Sequence, residues 1–256
     1  MAHIVAVVNQ KGGVGKTTTA VNLAAGLAAL GYKTLLIDAD AQANATSGVG
    51  AKKEGATLFE ALTGEAEPKE AIVATAIENL FLSPASIDLA GFDVIMANQP
   101  ERELRLRSFV NAVKPEYDWI VIDAPPSLSL MTINAMAACN GLIVPIQCEY
   151  YALEGLASLI RTVDLVARSI NPNLSIWKAL LTMRDPRTKL AQHVESEIRA
   201  YLGQKVSEIA IPRNIKASES PSFGQPLVVF APKSPAARAY VQFSKEVAEL
   251  GTSRIG

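Results

Sequence analysis

The sequence Lys11-Gly12-Gly13-Val14-Gly15-Lys16-Thr17-Thr18 directly follows an apolar run, His3–Val8, and opens a segment of helical period. Glycines let backbone N–H groups turn inward around a phosphate, and the first turn of a helix adds the positive end of its dipole. Lys16 adds a full positive charge, and the Thr17 hydroxyl is placed to hold Mg²⁺. A purely structural turn between a strand and a helix needs no lysine and threonine at these positions. We therefore interpret residues 11–18, called the phosphate loop below, as a site for the phosphates of a nucleotide.

The phosphate loop departs from the usual pattern GxxxxGK[ST] at its first position. That pattern would place a glycine at position 10, where this chain has Gln10. The next residue, Lys11, brings a second lysine into the loop. The loop is therefore a deviant form of the motif, with two cations where the ordinary form has one.

Apolar runs rich in valine and isoleucine alternate with segments of helical period along the chain. This order predicts an α/β fold, a single domain over residues 1–256 with a mostly parallel, twisted sheet covered by helices on both faces. The predicted strands are His3–Val8, Thr34–Ile37, Leu80–Ser83, Trp119–Ile122, Leu142–Ile146, Ile176–Thr182 and Val206–Ile211. The predicted helices are Thr17–Leu30, Glu101–Val113, Met131–Cys139, Leu153–Ser169, Leu190–Leu202 and Pro235–Leu250. The segment between Ile211 and Pro235, rich in proline, serine and glycine, predicts a long ordered loop packed on the domain.

Composition excludes several classes of protein. The chain has 256 residues, of which 49% are hydrophobic and 19% charged, typical of a globular protein with one large core. Its longest apolar runs, such as 141–146, are far shorter than the roughly 20 residues that span a bilayer, and the first strand has no secretory leader before it. We therefore expect a cytoplasmic protein. Cys139 and Cys148 lack metal-ligand spacing and are interpreted as small buried residues in a reducing compartment.

Charge is distributed unevenly between the two halves of the chain. The net charge of −1 argues by itself against nucleic-acid binding. Residues 1–128, however, carry 10 basic and 15 acidic residues, whereas residues 129–256 carry 14 basic and 10 acidic ones. The second half of the chain can therefore present a basic surface that the average conceals.

Several segments resemble the ParA/MinD family of ATPases, and within it the ParA/Soj type. The segment Asn9–Thr18 resembles the family's phosphate loop, Leu35–Thr46 its second-strand motif, and Ile120–Ser127 its Walker B segment. Gln147–Leu156 and Ile211–Asn214 resemble further stretches of the ParA/Soj type. Ala41 and Cys148 stand where that type usually has proline, which affects no functional residue. The resemblance covers nearly the whole chain and implies a Mg²⁺-dependent ATPase with a deviant Walker A loop that hydrolyses ATP.

The resemblance also assigns roles around the phosphates. It implies that Lys11 reaches across the interface of an ATP-dependent homodimer to the phosphates of the partner. Asp38 and Asp40 end the second strand, and alternation along a strand places both carboxylates on the same face, toward the phosphates. By resemblance, Asp40 positions the attacking water, and Asp38 supports either the magnesium shell or the loop. The structural alternative is that the two carboxylates only cap a turn.

Further residues complete the expected nucleotide site. Asp123 follows the apolar run Trp119–Ile122, and the carboxyl end of such a strand is where a Walker B aspartate contacts Mg²⁺. Thr17 and Asp123 are therefore the expected metal ligands. Pro212 and Asn214 resemble residues near the adenine, although an ordinary turn would also account for them.

The second half of the chain offers a candidate surface for DNA. Its basic residues Arg184, Arg187, Lys189, Arg213 and Lys216 lie in two short stretches, 184–189 and 213–216, and no aromatic residues are interleaved with them there. This pattern predicts contact with the phosphates of double-stranded DNA without reading of the bases, and therefore binding that weakens steeply with salt. By resemblance, Arg187 and Lys216 fall at positions that contact DNA in the ATP-bound dimer. Solvated surface charge is the alternative interpretation.

The sequence leaves three functions to compare. The first is a partitioning ATPase that binds DNA on the nucleoid as an ATP dimer and is released when a ParB-like partner stimulates hydrolysis. The second is a MinD-like regulator on a membrane, which the C-terminal residues 246–256 disfavour because they have too little basic and apolar surface to anchor. The third is a reductase like the nitrogenase iron protein, which Cys139 and Cys148 disfavour because neither lies in the context of a cluster ligand. Whether the cargo is a chromosome, a plasmid or a protein cluster is open.

Overall fold

Parallel strands form the centre of the molecule, which is a computed structural model describing residues 2–51, 55–149, 152–185 and 187–253. Within these residues one sheet has eight strands in the order β3-β4-β2-β5-β1-β6-β7-β8, and each neighbouring pair is parallel except β3 with β4. The strands are β1 (His3–Val7), β2 (Thr34–Asp38), β3 (Val73–Ala74), β4 (Leu80–Ser83), β5 (Trp119–Asp123), β6 (Gly141–Gln147), β7 (Ser175–Arg184) and β8 (Val206–Pro212). The α/β fold with a mostly parallel sheet is therefore confirmed.

Helices connect the strands and cover the sheet. They are α1 (Lys16–Ala29), α2 (Asn44–Gly48), α3 (Leu58–Thr63), α4 (Phe92–Ile95), α5 (Arg105–Val113), α6 (Leu130–Ala138), α7 (Ala152–Ser169), α8 (Lys189–Leu202), α9 (Ile215–Glu219), α10 (Leu227–Phe230) and α11 (Pro235–Ser253). Short 3₁₀ turns occur at 87–91, 102–104, 114–116, 203–205 and 220–223. None of the helices in the described ranges is long and apolar enough to cross a membrane.

The core lies on both faces of the sheet. On one face α1 and α11 pack against the central strands, with Leu23, Leu27 and Phe243 fully buried. On the other face α5, α6 and α7 cover the sheet, with Phe109 and Leu159 buried. Burial of each such side chain contributes about 1.5–3 kcal/mol. Because both faces are covered, the central strands have the nearly continuous apolar sequences that are typical of a parallel sheet.

The structure corrects several predicted boundaries. The helix predicted from Glu101 begins only at Arg105, because residues 102–104 form a 3₁₀ turn. The segment predicted as a loop before Pro235 is ordered but contains α9, a 3₁₀ turn and α10. β3 and the helices α2, α3 and α4 were not predicted. All four are shorter than seven residues, and such short elements carry little periodicity in sequence.

The order of the strands determines where the functional side chains meet. β1 pairs with β5, and β5 pairs with β2, all in parallel. In this register Asp123 lies beside both Val7 of β1 and Asp38 of β2. The carboxyl ends of these strands therefore bring two carboxylates to the edge of the sheet from which the phosphate loop leaves β1.

Candidate nucleotide-binding site

The phosphate loop adopts the conformation that its glycines permit. Gly13 has φ 75° and Gly15 has φ 84°, both in the left-handed region that favours glycine. Gly15 is the residue before the first turn of α1, and no side chain caps this turn. The first N–H groups of α1 are therefore available to an anion, as the sequence predicts.

The loop is held from the neighbouring strands. The Lys11 N–H donates to Asn9 Oδ1 at 3.0 Å, and Asn9 Nδ2 in turn donates to the carbonyl of Pro145 in β6 at 2.7 Å. Thr182 Oγ1 of β7 donates to the carbonyl of Val14 at 2.9 Å. These hydrogen bonds fix the loop at both ends before any nucleotide arrives, which lowers the cost of ordering it on binding.

Lys16 is buried inside the loop that it serves. The residue is only 7% exposed, and its Nζ donates to the carbonyl of Lys11 at 3.0 Å. Burial lowers the pKa of Lys16, while the charges of Asp123 and Asp40 oppose this shift. The ammonium has thus lost much of its hydration and lies where an anion would compensate for that loss.

Asp123 is fully buried at the end of β5, and neither carboxylate oxygen forms a hydrogen bond of normal geometry with the described residues. Burial raises the pKa of Asp123 well above its usual value, and the Asp38 charge raises it further, while Thr17 and Lys16 act in the opposite direction. A buried carboxylate without donors beside a threonine hydroxyl is a set of hard oxygen ligands, which Mg²⁺ prefers. The residues present therefore fit a magnesium ion held by Thr17 and Asp123.

Asp38 has a different set of partners. One oxygen accepts from the N–H and the Oγ1 of Thr46 in α2, both at 2.7 Å, and the other accepts from the N–H of Asp40 at 3.2 Å. Burial raises the pKa of Asp38 to about 6, although these hydrogen bonds oppose the rise. The sequence left open whether Asp38 supports the magnesium shell or the loop. Its hydrogen bonds go to α2 and to the turn after β2, and they do not decide between these two roles.

Asp40 is half-buried at the start of the turn that follows β2. Its Oδ1 accepts from the N–H of Gln42 at 3.0 Å, the contact of an Asx turn. Its charge is close enough to oppose the lowering of the Lys16 pKa, so the carboxylate lies near the phosphate loop. One oxygen of Asp40 therefore caps the turn, which is the structural role considered above. The carboxylate also lies next to the predicted site of hydrolysis.

Lys11 points away from the loop to which it belongs. Its Nζ contacts Glu149 Oε2 at 2.6 Å, just beyond the end of β6, and the two side chains are 37% and 48% exposed. The ammonium is therefore held by a carboxylate 138 residues further along the chain rather than by its own phosphate site. No role for Glu149 was predicted, although the residue belongs to a segment that carries the resemblance.

A cleft of about 250 Å³ adjoins the phosphate loop. Thr17 and Thr18 line it together with residues of α2 and with Ser220, Pro221, Gln225 and Pro226. Pro212 and Asn214, which the sequence places near the adenine, are not part of its described lining. Asn214 caps α9 instead, since its side chain accepts from the N–H of Lys216 at 2.8 Å, as an ordinary turn residue would.

The candidate DNA residues gather at the carboxyl ends of β7 and β8, the same edge as the phosphate loop. Arg184 binds Glu195 at 2.8 Å, and Lys216 binds Glu219 at 2.8 Å. The Arg187 guanidinium binds both oxygens of Asp185, at 2.8 and 2.6 Å, and lowers the pKa of that carboxyl to about 2. The Arg213 charge acts on the same carboxyl, and Lys189 begins α8 nearby in the chain. The structure thus brings the arginines together but pairs them with carboxylates.

Aromatic residues lie closer to the basic surface than the sequence indicates. The Lys216 Nζ is 5.8 Å from the centre of the Phe230 ring, and Phe223 stacks on Phe230 at 4.8 Å. The absence of aromatic residues interleaved with the basic ones in sequence therefore does not describe the surroundings of Lys216 in space. The rings come from residues 7 and 14 positions further along the chain, which only the turns around α9 bring back.

The two cysteines are structural. Burial raises the pKa of the Cys139 thiol to about 12 and that of Cys148 to about 11. Both are buried free thiols, as expected from the sequence. Neither thiol is a ready nucleophile or metal ligand.

The chain is similar to known proteins over nearly its whole length. The domain family described as "AAA domain" matches residues 2–176. The sporulation initiation inhibitor protein Soj of Bacillus subtilis is 47% identical over 98% of this chain and 100% of its own length. The chromosome-partitioning ATPase Soj of Thermus thermophilus is 48% identical over 95% of this chain and 94% of its own length.

A solved structure shows the same fold with a nucleotide bound. It is described as cobyrinic acid a,c-diamide synthase of Mycobacterium smegmatis with an ATP analogue and magnesium, is 33% identical, covers 97% of this chain and 94% of its own, and has a TM-score of 0.87. Its name denotes a biosynthetic enzyme, whereas the relatives that are closer in sequence to this chain are named for partitioning. With identities of 47% and 48% over nearly the full length, the chain belongs to the Soj/ParA family of chromosome-partitioning ATPases.

Proposed function

We propose that this chain hydrolyses ATP with Mg²⁺, dimerises on ATP, binds double-stranded DNA without sequence preference and leaves the DNA when a ParB-like partner stimulates hydrolysis. The observation that carries the proposal is a juxtaposition. The preformed phosphate loop and a cluster of exposed arginines lie at one edge of the same sheet. A nucleotide bound at this edge is thus close enough to the basic surface to control whether that surface binds DNA.

Binding of the nucleotide falls to the phosphate loop. The N–H groups at the start of α1 and the Lys16 ammonium bind the β- and γ-phosphates, and Thr17 and Asp123 hold Mg²⁺. The metal neutralises charge on the phosphate oxygens when it is bound. Since Lys16 and Asp123 are already buried and Asp123 accepts no hydrogen bond of normal geometry from the described residues, both gain partners on binding of Mg²⁺ and the nucleotide.

Hydrolysis requires a group that orients water toward the γ-phosphate. Phosphoryl transfer depends mainly on positioning and on charge neutralisation, so a single carboxylate that accepts a hydrogen bond from the water is sufficient. Asp40 has this role, because it is half-buried beside the loop and its charge acts on Lys16. Asp38 holds the turn that carries Asp40.

Dimerisation uses the second lysine of the loop. Lys11 extends outward and leaves Glu149 to contact the phosphates of a partner chain, as an arginine finger does in trans. The contact with Glu149 is partly exposed, so its loss costs at most about 1 kcal/mol. A phosphate with several negative charges offers a stronger partner than one carboxylate, which makes the dimer dependent on ATP.

DNA binding uses Arg187 and Lys216, with Arg184 and Arg213 beside them. A dimer presents two such surfaces, and two weak contacts on one duplex act together as a bivalent contact. The protein is then cytoplasmic and associated with the nucleoid in its ATP form. The cargo is chromosomal DNA in the first instance, because the relatives are named for chromosome partitioning.

The experiment that tests the proposal is a DNA titration at several salt concentrations with ATP, with ADP and without nucleotide. We expect tight binding only with ATP, with an affinity that falls steeply as salt rises. Lys16→Ala is the matched control, because it leaves the basic surface intact and removes the nucleotide. Equal binding in all three nucleotide states would contradict the proposal. If the ATP form binds no DNA at low salt but sediments with anionic vesicles, the MinD-like function replaces it.

A further inference from the structure

The turn after α2 and the turn after the 3₁₀ segment 220–223 touch each other through their backbones. Gly50 and Gly224, with φ of 68° and 61°, form this contact. A Cβ atom on Gly50 would lie 2.7 Å from the carbonyl oxygen of Gly224, and one on Gly224 would lie 2.8 Å from the Cα of Gly50. Because the obstacle on each side is backbone, the contact requires glycine at both positions.

One side of this contact leads to the nucleotide site. The N–H of Gly50 donates to the carbonyl of Ser47 in α2 at 3.0 Å. The preceding residue of α2, Thr46, donates both its N–H and its hydroxyl to Asp38, and its Oγ1 accepts from the N–H of Ala85 at 3.1 Å. The position of α2 is therefore set by a carboxylate that lies next to Asp123 in the sheet.

The other side leads to the basic surface. Gly224 N–H donates to the carbonyl of Pro221 at 3.0 Å, which closes the 3₁₀ turn that continues directly from α9. Lys216 lies in α9, and Phe223 of the same turn stacks on the Phe230 ring that faces the Lys216 ammonium. A displacement at Gly224 therefore moves Lys216 together with the aromatic rings beside it.

A second anchor limits how the basic segment can move. The N–H of Val228 donates to Asn22 Oδ1 of α1 at 3.0 Å, and Asn22 Nδ2 donates to the carbonyl of Thr18 at 2.8 Å. Residues 215–230 are thus held at Val228 by α1, which is part of the core, and at Gly224 by the turn after α2. Any movement of α2 on nucleotide binding turns the segment about its fixed anchor.

We propose that Gly50 and Gly224 are positioning residues, which transmit the state of the nucleotide site through α2 to Lys216 and so set DNA affinity separately from dimerisation. This inference rests on the proposed function. Dimerisation by itself doubles the basic surface that the DNA contacts. The Gly50–Gly224 contact decides whether the basic surface of each chain is correctly oriented. Coupling between two sites is reciprocal, so bound DNA tightens ATP binding through the same contact.

The test compares Gly224→Ala and Gly50→Ala with the control Gly64→Ala. Gly64 also has a positive φ, of 85°, but an added Cβ there meets nothing within 4 Å, so this variant carries the backbone strain without the collision. DNA affinity, ATP affinity and sedimentation are measured for each protein with ATP and without nucleotide. We expect Gly50→Ala and Gly224→Ala to bind ATP and dimerise within about twofold of wild type. The increase in DNA affinity on adding ATP should fall about tenfold in both variants. Gly64→Ala keeps the full gain.

A measurement on the wild-type protein covers the case in which the variants do not fold. Hydrogen exchange at the amides of Gly50 and Gly224, which donate to Ser47 and Pro221 and do not line the cleft beside the phosphate loop, is expected to slow when ATP binds. Unchanged exchange at these amides overturns the inference. So does an unaltered increase in DNA affinity on adding ATP in folded Gly50→Ala and Gly224→Ala. If wild-type protein binds no DNA in any nucleotide state, the proposed function itself fails.

Discussion

Lys16 and Arg187 are cations at the same edge of the sheet, but their surroundings differ completely. Lys16 is 7% exposed and contacts a single backbone carbonyl, whereas the Arg187 side chain is 85% exposed and contacts both oxygens of Asp185. Burial lowers the pKa of Lys16, and the Asp185 carboxylate raises that of Arg187. Lys16 has lost its water and forms no salt bridge with the described residues, whereas Arg187 has kept its water and already has a carboxylate partner.

This difference explains what each region recognises. A desolvated cation in a fixed loop binds an anion only of the correct shape and position, so geometry controls the phosphate loop. A hydrated cation on the surface exchanges one carboxylate for a DNA phosphate at little cost, so salt and valence control the basic surface. The predictions below separate the two regions by these properties.

Lys16→Ala is expected to have the largest effect. Removing the buried ammonium leaves the β- and γ-phosphates without their main protein cation, which costs about 3 kcal/mol, or roughly 100-fold in ATP affinity. Titration with a fluorescent ATP analogue measures this loss. Lys216→Ala is the matched control and keeps wild-type nucleotide affinity. Undiminished ATP affinity in Lys16→Ala would show that the phosphate loop does not depend on its buried cation, and the contrast with the basic surface would be wrong.

Asp40→Ala is expected to slow hydrolysis about 100-fold while ATP binding and dimerisation persist. The reason is that the contacts of the ground state remain when the group that orients water is removed. Phosphate release under single-turnover conditions measures the change, and the ATP form should accumulate on DNA. A variant that fails to bind ATP would make Asp40 a structural residue and Asp38 the better candidate for orienting water.

Asp123→Asn is expected to raise the Tm of the nucleotide-free protein by several degrees, because a neutral amide is less costly to bury than a carboxylate that accepts no hydrogen bond of normal geometry from the described residues. The same variant should gain much less from Mg²⁺ and ATP than wild type, since a metal ligand is lost. Thermal unfolding with and without Mg-ATP measures both effects. A lower Tm for the nucleotide-free variant would show that the carboxylate stabilises the folded chain.

The carboxylates of the site also give stability a pH dependence. The pKa of Asp38 in the folded protein is about 6, above the ordinary value of 3.8, so the folded state binds this proton more tightly than the unfolded state. Its contribution to stability is present below about pH 4 and is lost as the pH rises toward about 6. Urea unfolding of nucleotide-free wild type and Asp38→Asn at pH 4 and pH 7 measures it. We expect the variant to gain relative to wild type at the higher pH.

Arg187→Ala and Lys216→Ala are expected to change DNA binding without changing ATP binding. Each removes one phosphate contact per chain and two per dimer, so the slope of log affinity against log salt should fall by about two. Fluorescence anisotropy at four salt concentrations measures this slope, with Lys33→Ala as the control, because Lys33 lies over the rings of Phe81 and Tyr117 away from this edge. An unchanged slope in both variants would place the DNA elsewhere.

Glu149→Gln is expected to have the smallest effect. It releases Lys11 from a contact that is partly exposed and worth at most about 1 kcal/mol, so the ATP dimer should tighten by no more than about fivefold for each of its two Lys11 residues. Sedimentation with ATP measures the shift. Lys11→Ala is the paired variant and should lose the ATP dimer altogether while keeping nucleotide. A weaker dimer in Glu149→Gln would mean that Glu149 contributes to the interface itself.

Much of the fold could be predicted because its signals are local. Seven of the strands follow from short apolar runs, and their observed ends lie within two residues of the predicted ones. The phosphate loop, with Gly13 and Gly15 at positive φ and Lys16 inside, follows from eight consecutive residues. β3 and the helices of four to six residues could not be predicted in this way, because contacts with the rest of the chain, and not their own periodicity, hold them in place.

The sequence by itself determined the phosphate loop, the parallel α/β fold and the family, because each depends on residues that are close together in the chain. Tertiary structure alone decided the partner of each functional side chain. It joined Lys11 to Glu149, Asp38 to Thr46, Lys216 to Phe230 and Gly50 to Gly224. The physical reason is that burial and hydrogen bonding depend on which elements the sheet order and the turns bring together. No local pattern of residues records that.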